Sequence, residues 1–234
     1  MKKIGVTGGK GFIGRHLVSA LQASRLGEVI PFDARFEQDD ALFQFVKHCD
    51  VIYHLAGINR SADENVVTGN IMMMFRLLRA ASQQNKWIIF TSSRQEGTPY
   101  ALAKLTCEEM LKDSAGKSNL CATTLRLPNI YGPGCKPFYN SVVATFAHLV
   151  AEGKNFSELP IHGDGMQMRE YLYVGELVRK LVDLQFVKSP KPFDYMVLEG
   201  QALRVKEIGE IFTQPEKLEE NPYFHQTLLS YQNA

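Results

Sequence analysis

The sequence has no excess of charge of either sign: 26 Lys and Arg stand against 25 Asp and Glu, a formal net charge of +1. Without a one-signed field to gather a polyanion, a dedicated nucleic-acid or membrane-surface binder is not expected. Cysteine is scarce as well. Cys49, Cys107, Cys121 and Cys135 lie far apart, with no Cys-x-x-Cys pair and no histidine at metal-ligand spacing. Neither a disulfide framework nor a structural zinc is indicated, and no metal site is expected. Long hydrophobic runs are missing too. The stretch near the N-terminus, Ile4 to Thr7, stops at glycines, too short for a signal-peptide core or a transmembrane span. A cytoplasmic protein is the expectation. Repeats, charge blocks, low-complexity tracts and visible linkers are also lacking, so the 234 residues, 45% of them hydrophobic, read as a single domain over 1–234.

What is present is an alternation. Short β-rich runs at Lys3 to Thr7, Glu28 to Phe32, Asp50 to Ala56, Trp87 to Ser92 and Cys121 to Leu127 are separated by helix-period stretches. That order predicts an α/β fold with a parallel, Rossmann-type doubly wound sheet covered on both faces. The first helix opens at Gly11 and runs to Gln22. A later one over Asn70 to Gln83 carries Ile71, Met74, Leu77 and Leu78 on one stripe. Beyond Leu127 the alternation loosens. Helices are expected at Asn140 to Glu152, Val174 to Leu184 and Val205 to Phe212, and late strands at Leu159 to Ile161 and Phe193 to Leu198. Pro222 to Ala234 shows no clean period and receives no assignment.

The segment Thr7-Gly8-Gly9-Lys10-Gly11-Phe12-Ile13-Gly14 follows a predicted strand and opens a predicted helix, the context a dinucleotide fingerprint requires. Glycines let the backbone turn sharply and approach a pyrophosphate, whose charge then sits on free amides at the positive helix end. Two registers fit, Gly9-x-Gly11-x-x-Gly14 and Gly8-x-x-Gly11-x-x-Gly14, and the sequence alone does not choose. Asp33 ends the second predicted strand 19 residues past Gly14, where a carboxylate can accept from both hydroxyls of an adenosine ribose. That favours NAD. Arg35 follows closely enough to take a ribose phosphate, which leaves NADP open.

Tyr100-Ala-Leu-Ala-Lys104 places a phenol and an ammonium at i and i+4, on one face of a helix. A free phenol titrates near 10, and an adjacent Lys cation together with an oxidised nicotinamide would lower that value and make Tyr100 a general acid/base. Ser93 ends the fourth strand at the carboxyl edge of the sheet, where ligands of doubly wound folds sit, and can bond the same substrate oxygen. Three separated residues thus converge on one atom.

With the glycine turn, the Thr91-Ser92-Ser93 strand end and Tyr-x-x-x-Lys in this order, the sequence resembles the extended short-chain dehydrogenase/reductase family of NAD(P)-dependent nucleotide-sugar epimerases, dehydratases and reductases. The likeness covers most of the chain. His54-Leu55-Ala56-Gly57 resembles the His-Leu-Ala-Ala strand end that lies beside the cofactor in that family, and Asn70 sits where its structural helix Asn is expected. The run Leu125-Arg126-Leu127-Pro128-Asn129-Ile130-Tyr131-Gly132-Pro133 is similar to a segment whose Pro lies by the nicotinamide and whose Asn faces the substrate diphosphate. Gly163-Asp164-Gly165-Met166-Gln167-Met168-Arg169-Glu170-Tyr171-Leu172-Tyr173-Val174 looks like a segment whose Arg clamps the nucleotide-sugar pyrophosphate, a task that suits a bidentate guanidinium.

The resemblance therefore implies cofactor contacts at Gly8, Gly11, Phe12, Ile13, Gly14, Asp33, Arg35, Leu55, Ala56, Gly57, Tyr100, Lys104 and Pro128. It implies catalysis by Ser93, Tyr100 and Lys104, and substrate binding by Ser93, Asn129 and Arg169. Arg126 and Arg169 are expected to form a phosphate-facing pair. Family dehydratases carry an acidic pair directly after the active-site hydroxyl, where this chain has Arg94 and Gln95, so dehydration is not expected. What remains is hydride transfer at sugar C4, as a 4-ketoreductase or a 4-epimerase. His54 to Arg60 and Pro128 to Phe146 look most like capsule and lipopolysaccharide reductases acting on a UDP-acetamido-dideoxyhexulose. Six residues separate Ser93 from Tyr100, a short loop over the substrate, and the C-terminal substrate-binding lobe, about 129–234, is short as well. Either the substrate is bound openly or another chain completes the pocket. The resemblance further implies a homodimer through Asn70 to Gln83 and the Tyr100 helix. The competing class is a non-catalytic NAD(P)-binding sensor or scaffold.

Overall fold

The structure, a computed structural model, describes residues 1–60, 62–117 and 119–233. In chain order the elements are β1 (Lys3–Thr7), α1 (Phe12–Ser24), β2 (Glu28–Phe32), α2 (Asp39–His48), β3 (Val51–His54), α3 (Asp63–Ala81), β4 (Trp87–Ser93), α4 (Pro99–Lys117), β5 (Cys121–Leu127), β6 (Asn129–Tyr131), α5 (Val142–Ala151), β7 (Met168–Tyr173), α6 (Val174–Asp183), β8 (Phe193–Val197), β9 (Gln201–Arg204), α7 (Val205–Thr213), α8 (Pro215–Glu219) and α9 (Pro222–Gln232). Where the sequence reads as one domain, the chain packs as two compact units: Met1–Leu127 with Val178–Leu198, and Pro128–Leu177 with the chain from Glu199 onward.

The first unit is a six-stranded sheet in the order β2-β1-β3-β4-β5-β8, every adjacent pair parallel. The continuous apolar runs of β1, β3 and β4 are buried almost throughout, as strands covered by helices on both faces must be. Strand order reverses between β1 and β3, so their carboxyl ends flank a topological switch point, the place where doubly wound sheets bind ligands. One face packs Ile52, Ile88, Phe90 and Ala122 against Leu42, Phe45 and Val46 of α2, Met74 and Leu77 of α3 and Cys107 and Leu111 of α4. Each such large apolar side chain contributes about 1.5–3 kcal/mol of burial. The edge strand β2 carries Pro31, which lacks the N–H that a central strand would need.

The second unit has a small sheet, β6-β7-β9, with β6 parallel and β9 antiparallel to β7. Its core gathers Tyr131, Val143, Phe146, Tyr171, Ile208, Phe212, Phe224 and Leu228.

Three segments depart from the sequence expectation. Leu159 to Ile161 is not a strand: a one-turn 3-10 helix, Phe156–Glu158, closed by an Asn155/Glu158 capping box, ends there, and the Ile161 N–H turns back to Leu159 O at 2.8 Å. The unassigned C-terminus is helical over α9, opened by Pro222 in its first turn. The Asn70 helix is α3, which starts seven residues earlier, at Asp63.

Candidate active site

The glycine turn lies at the end of β1, at the switch point. Gly8 has φ +70, and a Cβ on it would lie 2.6 Å from Ala56 N. A Cβ on Gly14 would lie 2.0 Å from Gly8 O, while the Gly11 N–H donates to that same oxygen at 3.0 Å. Gly9 is different: its nearest neighbours would be 3.5 Å away, an ordinary contact. Gly8 and Gly14 admit no Cβ, whereas Gly9 does, which favours the Gly8-x-x-Gly11-x-x-Gly14 register of the two left open by the sequence. Phe12 and Ile13 form the first turn of α1, which has no side-chain cap and no acidic residue, so its amides and positive dipole end are uncompensated by the helix's own side chains.

Two strand ends join this turn. Asp33, exposed just beyond β2, pairs with Lys10 of the turn at 3.3 Å; Arg35 is exposed two residues on. Beyond β3, the Ala56 N–H donates to Thr7 Oγ1 at 3.3 Å, and Thr7 Oγ1 lies 2.8 Å from His54 Nδ1. Burial, with the Lys104 charge adding to it, pushes His54 down to about 3, so at neutral pH His54 is an uncharged hydrogen-bond partner of the Thr7 hydroxyl. Leu55 and Ala56 are half-buried and Gly57 is exposed. A Cβ on Gly57 would stand 3.1 Å from Asn70 Oδ1 and 3.5 Å from Lys104 Nζ. Asn70, buried in α3, receives the Ile58 N–H and donates to the carbonyls of Ile58 and Val66. The loop after β3 is thereby fixed by one side chain.

Lys104 sits on the buried face of α4. Its ammonium donates to Thr91 O of β4 at 2.9 Å and stands over the rings of Phe90 and Tyr100, 4.6 Å and 5.6 Å from their centroids. Burial pushes Lys104 down to about 8, against the opposing influence of Cys107 and Glu108. Tyr100, half-buried one turn earlier, is pushed up to about 12 by burial, with Cys107 acting in the same direction. With the protein's own groups alone, burial keeps Tyr100 a neutral phenol; the lowering expected from Lys104 together with an oxidised nicotinamide concerns the cofactor-bound site. Ser93 closes β4, and its Oγ accepts the Gln95 N–H at 3.1 Å, leaving its own proton free to donate.

In the second unit Pro128, half-buried, precedes β6, and Asn129 opens that strand. Asn129 Nδ2 donates to Glu170 O at 3.0 Å, which spends one of its donors on the β6–β7 pairing. Arg169, on β7, is exposed and donates to Gln167 Oε1 at 2.9 Å. Within the first unit Arg126, expected to face a phosphate, instead forms a two-pronged ion pair with Glu108 of α4, Nε to Oε1 at 2.9 Å and Nη2 to Oε2 at 2.7 Å. Sequence reasoning missed Glu108 and the bridging role of Thr7. The signal for Glu108 was its position, i+4 from Lys104 on the same helix face.

A glycine turn at the switch point of a doubly wound sheet, with a Tyr/Lys pair on the helix after the fourth strand, defines a dinucleotide-fold α/β protein of the short-chain dehydrogenase kind. The chain belongs to the NAD dependent epimerase/dehydratase family, which it matches over residues 4–184. It is 32% identical over 215 residues to the UDP-2-acetamido-2,6-beta-L-arabino-hexul-4-ose reductase of Pseudomonas aeruginosa, a match covering 89% of this chain and 56% of that protein. The chain thus spans about half the length of that curated relative. It is 28% identical over 225 residues to the UDP-glucose 4-epimerase of Mycolicibacterium smegmatis, covering 76% of this chain and 71% of the relative. Among solved structures, UDP-glucose 4-epimerase from Thermotoga maritima superposes with a TM-score of 0.81 at 24% identity, over 94% of this chain and 83% of that one. The capsular polysaccharide assembling protein CapF from Staphylococcus aureus does so with a TM-score of 0.75 at 24% identity, over 98% and 64%. These two likenesses establish the fold.

Proposed function

We propose that the chain is a NAD(P)-dependent nucleotide-sugar oxidoreductase that transfers hydride at sugar C4, working as a 4-ketoreductase. The observation that carries the reading is a continuous line of close approaches: Gly8 against Ala56, Gly57 against Lys104, and Lys104 against Thr91 O and the Tyr100 ring. The turn whose backbone suits a diphosphate and the helix face that suits acid/base chemistry are linked by approaches that leave no room for a side chain at Gly8 and little at Gly57.

The glycine cradle, closed to any Cβ at Gly8 and Gly14, fits a dinucleotide. Gly8, Gly11, Phe12, Ile13 and Gly14 would hold its diphosphate on backbone amides, Asp33 its adenosine ribose with Arg35 nearby, and Leu55, Ala56 and Gly57 its flank. Tyr100 and Lys104 would take the nicotinamide ribose and Pro128 the nicotinamide. NAD is the preferred form, because the Asp33 carboxylate repels a ribose phosphate. When bound in its reduced form, the nicotinamide supplies the hydride that reduces a C4 ketone. Tyr100 gives its phenolic proton to the C4 oxygen as the carbonyl becomes an alcohol, and Ser93 donates a hydrogen bond to the same oxygen. The neutral state of Tyr100 favours this direction, since a phenol pushed up to about 12 starts with the proton that a ketone needs. Lys104 stabilises the resulting phenolate until a solvent proton restores it. Arg169, whose guanidinium has donors beyond the one given to Gln167, anchors the nucleotide diphosphate, and Asn129 adds its remaining N–H.

The relatives named above are UDP-sugar enzymes by name, which supports a UDP-linked substrate. A homodimer belongs to the same reading. Met72 and Phe75 on α3 and Leu102 and Leu105 on α4 are large apolar residues that are 40–57% exposed, and a second copy would cover them as a four-helix contact. A cytoplasmic setting suits four cysteines that are all free.

Mass spectrometry of UDP- and dTDP-sugars, including 4-keto forms, incubated with and without NADH or NADPH, tests the function. A gain of two hydrogens that requires reduced cofactor is the expected result. A product of unchanged mass and altered retention, formed without reductant, makes the protein a 4-epimerase. Tight cofactor binding with no change in any sugar overturns the reading in favour of a sensor, a class to which the comparisons lend no support.

A further inference from the structure

The Arg126 that faces no phosphate holds a buried carboxylate directly behind the Tyr/Lys pair. Glu108 has a side chain only 5% exposed, and Arg126, 32% exposed, closes on it with Nε to both oxygens and Nη2 to Oε2, all within 3.1 Å. The Tyr195 ring of β8 covers the guanidinium from 5.0 Å. Tyr100, Lys104 and Glu108 recur at i, i+4 and i+8 of α4 and so share one face of that helix. Arg126 and Ser92 are register partners on β5 and β4. Resting on the function proposed above, we propose that Glu108 and Arg126 are positioning residues for the reaction: the ion pair pins the Tyr100–Lys104 face of α4 onto β5 and sets the electrostatic field in which the Lys104 ammonium works.

Two groups on α4, Cys107 and then Glu108, oppose the burial of Lys104, and of the two Glu108 is the carboxylate held by an ion pair. On α4, Tyr100 is a neutral phenol and Cys107 is a thiol pushed up to about 11 by its burial. From β3, His54, pushed down to about 3, is uncharged. From β4 come the Thr91 carbonyl and the Phe90 ring, from α3 and the loop after β3 the Asn70 amide and Gly57, and from β5 Arg126, turned onto Glu108. Glu108 opposes the burial that drives Lys104 towards its neutral form. Arg126 in turn compensates a carboxylate that would otherwise be buried alone. A pair with only a structural role would hold α4 in place and leave the Lys104 titration untouched.

The test is an NMR titration of the Lys104 side chain in the full chain without cofactor, its signal assigned by its disappearance in Lys104→Met. Glu108→Gln removes the anion and leaves Arg126 charged, so the Lys104 midpoint falls by about half a pH unit or more. Glu108→Gln/Arg126→Gln removes both charges, the nearer anion mattering more, and falls between the single variant and the parent. Where the single variant does not fold, the double variant, which leaves no unpaired charge, makes the same comparison. In turnover, the alkaline limb of kcat moves down with the Lys104 midpoint while KM for the nucleotide sugar holds. A Lys104 midpoint that stays put in both variants overturns the inference, as does a moved midpoint with an unmoved alkaline limb. If the parent turns over no nucleotide sugar, the proposed function falls while the titration still decides whether the pair tunes Lys104.

Discussion

In the six-stranded unit three buried ionisable side chains each have a specific partner: Lys104 is held by Thr91 O, His54 by Thr7, Glu108 by Arg126. In the three-stranded unit the side chains assigned to the substrate are differently placed. Arg169 is exposed and touches Gln167, and Asn129 already spends a donor on Glu170 O. Groups that must be aimed at a reacting atom are locked before substrate arrives, where a small error in position is costly. Groups that grip a flexible, charged diphosphate need only a guanidinium in water with donors to spare. Rigidity follows chemistry and not distance along the chain.

The largest test of that contrast is Tyr100→Phe. Turnover should fall about 10²- to 10⁴-fold, far more than the NAD(H) affinity read by fluorescence titration, because Lys104 and the glycine turn remain to hold the cofactor. Near-normal turnover would remove the acid/base from the locked unit and dissolve the comparison. Next in size is the cradle itself. Gly14→Ala drives a Cβ to 2.0 Å from Gly8 O, which should cost about 1–3 kcal/mol and abolish cofactor binding by calorimetry. Gly9→Ala, whose Cβ meets nothing closer than 3.5 Å, should stay within about 0.5 kcal/mol and bind normally.

How much of this was legible in the sequence also divides between the units. Lys3–Thr7, Glu28–Phe32 and Cys121–Leu127 form strands with the expected bounds, because buried parallel strands are written as unbroken β-rich runs between glycine and helix signals. The elements β6, β7 and β9 were not expected. They are three to six residues long, and Met168–Tyr173 reads Met-Arg-Glu-Tyr-Leu-Tyr, a mixture with no clean period-two contrast that is set by pairing and not by local preference. α2 was expected only as a helix-period stretch without bounds, although its charges declare its ends, with Asp39 and Asp40 in its first turn and Lys47 and His48 in its last. In the site, spacing revealed Tyr100 and Lys104 because their contact is local. It concealed Arg126 because its partner, Glu108, lies 18 residues away on another element. The burial that pushes Tyr100 up in the chain by itself was not legible either, since burial is a property of the folded surroundings that residue types do not show.

A third prediction uses pH. The folded His54 sits at about 3, below its unfolded value of about 6.5. Between those limits the unfolded chain binds a proton that the folded chain refuses. Stability should therefore fall below about pH 6.5 by about 1.4 kcal/mol per pH unit, flattening near the folded value. The single tryptophan, Trp87, is buried in β4 of the same sheet, so its fluorescence in denaturant at several pH values reads this unit directly. His54→Gln should flatten the slope. The histidines of the other unit, His148, His162 and His225, are half-buried or exposed, and replacing them should leave it unchanged. A slope that survives His54→Gln would mean that another group carries the acid sensitivity.

The smallest expected effect is at Arg169. Because its guanidinium is exposed and has Gln167 for a partner, Arg169→Ala should change folding stability by no more than about 0.5 kcal/mol. It should raise KM for the nucleotide sugar about tenfold, the equivalent of one charge-assisted contact of about 1.4 kcal/mol, with kcat nearly constant because the grip on the diphosphate is the same before and during hydride transfer. Steady-state kinetics beside a denaturation curve separate the two quantities. A drop in kcat with KM unchanged would assign Arg169 to the reacting centre, and a stability loss of several kcal/mol would assign it to the core. Either result would place a locked group in the unit that grips loosely, and the division of labour between aiming and holding would have to be redrawn.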